Sequence, residues 1–151
     1  MEQKDDINKR ESYLISISEK ICNYVFEWHF HRLSKPEQVF FCIWQLESQV
    51  NNGGLNQYFF NTGEYTNETI AALEEIGALY TADLLRKAVA LFPGGKVPED
   101  WKTCQNIITA MDEATNQQLN ELDILFYEYR DNLSELLYNF TQNNRSMIRG
   151  A

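Results

Sequence analysis

Apolar residues recur at intervals of three and four along almost the whole chain, and no stretch alternates with a period of two. Such spacing puts apolar side chains on one face of successive helices and leaves no half-buried strand to pair. Leu14, Ile17, Ile21, Tyr24 or Val25, and Trp28 make one stripe, which predicts a first helix over about residues 7–31. Ser34 followed by Glu37 is a capping box with Pro36 in its first turn, so a second helix starts there and carries Phe40, Ile43 and Trp44 inward. It stops at Asn51-Asn52-Gly53-Gly54, residues that tolerate positive φ.

Beyond that stop the pattern predicts a short helical turn over Leu55 to Asn61, then a helix capped by Thr66 with Ile70, Leu73 and Ile76 inward. Thr81 and Asp83 open the next helix, which ends at Pro93-Gly94-Gly95. Another runs from Trp101 to Met111, and a long last helix is expected over about residues 117–142. The fold class is therefore all-α: one domain over residues 1–151, with six to seven helices, a long C-terminal helix, and the first helix packed on the rest. A chain of 151 residues with 44% hydrophobic content can fill one core.

Charge narrows the function. The net charge is −9, and the imbalance is local. Residues 1–36 are neutral, whereas Glu37 to Leu85 hold seven carboxylates and no Lys or Arg. Such a field repels nucleic acid and anionic membranes and favours a cationic partner. No stretch approaches the roughly 18 apolar residues of a membrane span, and the polar start holds no hydrophobic signal region, so a cytoplasmic protein is expected. Cys22, Cys42 and Cys104 are odd in number and widely spaced, which fits buried free thiols rather than a disulfide framework or zinc ribbon.

Catalytic motifs are not found. His29 and His31 stand two apart, too divergent on a helix to chelate one metal, and suit the end of the first helix. Gly94-Gly95-Lys96 lacks the upstream glycine and the preceding strand of a phosphate-binding loop. Glu74-Glu75 and Asp112-Glu113 are adjacent, so their carboxylates diverge by about 100° on a helix instead of forming a dyad. The expectation is a non-enzymatic protein with no cofactor.

Two features rise above this background. In the first, Glu47, Val50, Asn51, Asn52, Gly53, Gly54, Gln57, Tyr58, Phe59 and Asn61 crowd amides, glycines and aromatics into fifteen positions. Glycines turn the chain, amides bond the freed backbone groups and aromatics fill the core. The same residues offer an amide-rich pocket beside Glu47 as a second reading, a small-molecule or enzymatic site. This segment resembles the hallmark of the DNA-mimic-protein family (the domain of DNA mimic protein nineteen), which is widespread in bacteria. Gln49 stands where an acid is usual and Leu55 where Phe is usual. The likeness continues through Ile76-Gly77-Ala78, Leu91-Phe92-Pro93-Gly94-Gly95, Leu122-Asp123 and Phe126-Tyr127, over about residues 34–140. The resemblance implies a mostly helical fold and an acidic surface that imitates duplex phosphates to occupy a DNA-binding protein.

The second feature is acidic. On one long last helix Glu121, Glu128, Asp131 and Glu135 would share a face about 21 Å long. Asp112, Glu113 and Asp123 would extend it, with Glu64, Glu68, Glu74 and Glu75 adding from mid-chain. These carboxylates are the candidate partner-binding residues, and the partner they fit is a basic protein such as a transcription factor. An immunity or antitoxin-like binder obeys the same charge logic, and a homodimer is open to any uncovered apolar stripe.

Overall fold

The computed structural model describes residues 2–151, among which there are seven α-helices and no strand. They are α1 (Glu2–Trp28), α2 (Lys35–Thr62), α3 (Thr66–Glu75), α4 (Leu79–Val89), α5 (Trp101–Ala110), α6 (Glu113–Phe126) and α7 (Leu133–Asn143). The all-α expectation holds. Among the described residues no helix is long and apolar enough to cross a membrane.

The capping box at Ser34 forms as the sequence predicts: Glu37 N–H donates to Ser34 Oγ at 3.2 Å, and Ser34 N–H to Glu37 Oε1 at 3.0 Å. From this start α2 runs through the centre and packs against α1, α3, α5, α6 and α7. Phe40, Ile43, Leu46, Val50, Leu55, Tyr58 and Phe59 along it are all buried. Apolar residues on several faces make such a helix central rather than peripheral. The one buried hydroxyl among them has a partner, since Tyr58 Oη donates to Thr69 Oγ1 at 2.9 Å.

Several boundaries differ from the expectation. Helix α1 starts at Glu2 and ends at Trp28, so His29 (φ 72°) and His31 lie in the turn that follows. The piece after the glycine break is longer than a single turn and reaches Thr62. Thr66 is the first residue of α3 rather than its cap, and its hydroxyl donates to the Gly63 carbonyl at 2.6 Å. Helix α4 begins two residues before Thr81.

The largest correction concerns the C-terminus. The long last helix does not exist: α6 ends at Phe126, Tyr129 takes φ 46°, and α7 begins at Leu133. A left-handed residue cannot continue a right-handed helix. Asn132 restarts the chain as the N-cap of α7, accepting Glu135 N–H at 3.2 Å.

Candidate functional site

The glycine-rich segment interrupts α2 instead of ending it. Gly53 (φ −158°, ψ 23°) and Gly54 (φ 74°, ψ −175°) leave the helical region, which splits α2 into two pieces and orphans backbone groups on both sides. Residues at the end of α6 satisfy them. Asp123 Oδ1 accepts Leu55 N–H at 2.7 Å, capping the second piece, and Tyr127 Oη donates to the Val50 carbonyl at 2.7 Å, capping the first. Burial pushes the Asp123 carboxyl up and the Leu55 bond pulls it back, with a net rise. Tyr129 Oη accepts Asn51 Nδ2 at 2.7 Å and has Glu47 Oε1 at 3.3 Å as an acceptor for its own proton.

The amides do not converge on one pocket. Gln57 Nε2 and Asn61 Nδ2 both donate to Gln49 Oε1, at 2.8 and 2.9 Å, and Asn52 Nδ2 donates to Gln57 Oε1 at 3.1 Å. Glu47 and Asn51 instead face Tyr129, beside a cleft of about 110 Å³ that Glu11 and Ser134 also line. Ligand sites run from about 300 to 1,000 Å³. Val50, Tyr58 and Phe59 of the motif are buried, so much of the segment is packing.

Glu47 is the one motif carboxylate, and burial raises its pKa above the ordinary 4.5, with the Tyr129 bond opposing and the Glu11 charge adding. The folded protein then holds this proton more tightly than the unfolded chain. Stability from this group falls as pH rises above the ordinary value. Glu47→Gln is therefore expected to gain on the wild type as pH is raised from about 4 to 7. Thermal denaturation across that range checks it, and a constant or reversed difference would show that burial does not govern Glu47.

The candidate acidic residues are scattered, and many are engaged. Because the helix is broken, Glu121 lies on α6, Glu128 and Asp131 on the connection and Glu135 in the first turn of α7, so the four form no common row. Asp131 Oδ2 accepts Thr81 N–H at 2.8 Å and Thr81 Oγ1 at 2.9 Å, capping α4. Asp112 caps α6 through Thr115 N–H at 2.7 Å. Glu74 pairs with Arg86, and Glu128 with Arg130 at 2.9 Å. Glu64 is half-buried, and one of its oxygens is enclosed without a partner. Glu135 is exposed, and its Oε2 accepts Asn132 Nδ2 at 3.2 Å within the cap of α7. Glu68, Glu75, Glu113 and Glu121 remain, exposed and with neither a side-chain hydrogen bond nor a basic side chain within 4.0 Å among the described residues. They lie on two helices, α3 and α6.

Spacing puts Tyr129 in the inward apolar stripe of one long last helix, yet it is exposed and bonds Asn51, and spacing gives no role to Asn132 or Arg149. Asn132 with Glu135 three positions on was a cap signal, masked by apolar spacing that runs on across it. Nothing local marks Arg149, which reaches back to Glu37. A concavity of about 850 Å³ between α1 and α7 is lined by both signs of charge, with Asp6 and Glu135 against Lys9, Arg10 and Arg145.

No curated protein and no solved structure matches the chain. The family model described as DMP19-like protein matches residues 31–144, from the turn after α1 to the end of α7. That span holds the broken α2 and the α6 residues that cap its two pieces, and on this match the chain belongs to the DMP19-like protein family.

Proposed function

We propose that this protein is a non-enzymatic, acidic interaction protein whose carboxylates occupy a basic DNA-binding partner as a mimic of duplex phosphates. The observation that carries the reading is the set Glu68, Glu75, Glu113 and Glu121, exposed and unpaired on a family member of net charge −9. Charges without intramolecular partners stay available to a cationic surface. The small cleft beside Glu47 supports the non-enzymatic reading over a catalytic one. Ile15 and Phe26, the latter 89% exposed, are eleven residues apart on one outward face of α1, where a second copy would find apolar surface.

Capture from native lysate at low salt tests the proposal. A bound protein should be released as salt rises and displaced by duplex DNA. Reversing Glu68, Glu75, Glu113 and Glu121 to Lys should weaken its retention by tenfold or more, about 1.4 kcal/mol, without loss of helical signal. Retention that is indifferent to salt and DNA would sink the reading. Asp131 is unsuitable for reversal, because it caps α4.

A further inference from the structure

A pocket of about 360 Å³ opens between the start of α2, α3 and α7. Its apolar lining includes Val39, Cys42, Ala71 and Phe140, and Glu68 and Glu75 stand on one rim. Lys35 lies on the lining too, with Nζ 3.5 Å from Gln38 Oε1, so the rim carries two negative charges against one positive. Burial pushes the Cys42 thiol up to about 12, which keeps it neutral at any physiological pH.

The spacing of the rim defines the occupant. Glu68, Ala71 and Glu75 are at i, i+3 and i+7, one face of α3, with the carboxylates about 10 Å apart along the axis. Between them Ala71 is exposed and small, which leaves the way into the apolar floor open. A single amine cannot meet both carboxylates. A helical segment with basic residues at i and i+7 and an apolar side chain at i+3 or i+4 meets both and fills the gap between.

We infer that this pocket is the anchoring point for a basic, amphipathic helix of a protein partner, with one apolar side chain seated over Ala71 and flanking cations on Glu68 and Glu75. The inference rests on the proposed acidic-partner function and gives its contact a place on the surface. The volume suits one or two apolar side chains and lies near the low end of ligand sites. Seating a side chain out of water makes the contact partly salt-resistant, which bare carboxylates on α6 are not.

The test uses the full chain, isotope-labelled, and a helical peptide with Lys at i and i+7 and Leu at i+3 and i+4. Amide resonances of Val39, Cys42, Ala71 and Phe140 should shift on titration at low salt. Changing the peptide's leucines to alanine should weaken binding about tenfold or more. Ala71→Trp, which fills the gap, should do the same, and so should the surface double variant Glu68→Gln/Glu75→Gln, which leaves the pocket's shape intact. Salt-sensitive binding that shifts only residues around Glu113 and Glu121, or that ignores the peptide's leucines, overturns the pocket assignment while the acidic-partner reading stands. A peptide that fails to bind at any salt concentration also overturns the pocket assignment, and the capture from lysate decides the acidic-partner reading separately.

Discussion

Arg149→Met is expected to destabilise the protein by about 3 kcal/mol, near the low end for stranding one member of a buried ion pair. Glu37 is only 2% exposed, at the start of α2. Arg149 satisfies it three ways: Nη2 donates to Oε1 at 3.0 Å, the backbone N–H donates to Oε2 at 3.2 Å, and Nε donates to Oε2 as well. The guanidinium also lies 3.5 Å from the Tyr24 ring, so one side chain ties the C-terminal segment to both α1 and α2. Arg149 itself is about one-third exposed, which is why the low end applies. In a chain of this length the loss lowers Tm by roughly 6–12 °C.

Two controls separate the ion pair from lost packing. Adding Glu37→Gln to Arg149→Met should recover part of the stability, because no buried charge is then left alone. The pH dependence supplies the second. Burial pushes the Glu37 carboxyl up, but the bonds from Arg149 and Ser34 outweigh it and hold the group below its ordinary 4.5. A depressed carboxyl contributes stability above the ordinary value and loses it as pH falls through the folded one. The gap between wild type and Arg149→Met should therefore narrow below about pH 4. A gap that stays constant into acid would assign the loss to the Tyr24 contact instead.

Where the chain's local chemistry decided the structure, the sequence was readable. Ser34 with Glu37 marks the start of α2, and Leu14, Ile17 and Ile21 of the first stripe are buried as their spacing requires, although Tyr24 and Val25 are only half-buried and Trp28, at the end of α1, is exposed. The broken C-terminal helix was not readable, for a physical reason. Leu122, Phe126, Leu133, Leu137 and Phe140 keep helical spacing across the gap, so periodicity alone continues the helix. What stops it is distant: Tyr127 reaches Val50, Tyr129 reaches Asn51, and Asp131 reaches Thr81. The last of these contacts, and that of Asp123 with Leu55, remove carboxylates from the candidate surface. A count of acids cannot tell Asp123 and Asp131, which cap helices, from Glu113 and Glu121, which face solvent.

Gly54→Ala should cost about 3 kcal/mol or more, and the reason shows what the family motif does. At φ 74° any L side chain carries a penalty of about 1–2 kcal/mol. A Cβ there would also lie 2.3 Å from Asp123 Oδ2, so the carboxylate must move. Its displacement leaves Leu55 N–H, at the buried start of the second piece of α2, without an acceptor, worth a further 1–3 kcal/mol or so. Gly77 is the matched control: its φ is 85°, nothing lies within 4 Å of the site of a Cβ, and Gly77→Ala should cost only about 1–2 kcal/mol. Chemical denaturation of the two variants measures the difference. Equal losses would mean that backbone conformation alone explains the glycine and that Asp123 is not its partner. A larger loss at Gly54 ties the motif to the end of α6 as one structural unit. The carboxylate of Asp123 then serves the fold, and the proposed partner binding falls to the acids that no helix end has claimed.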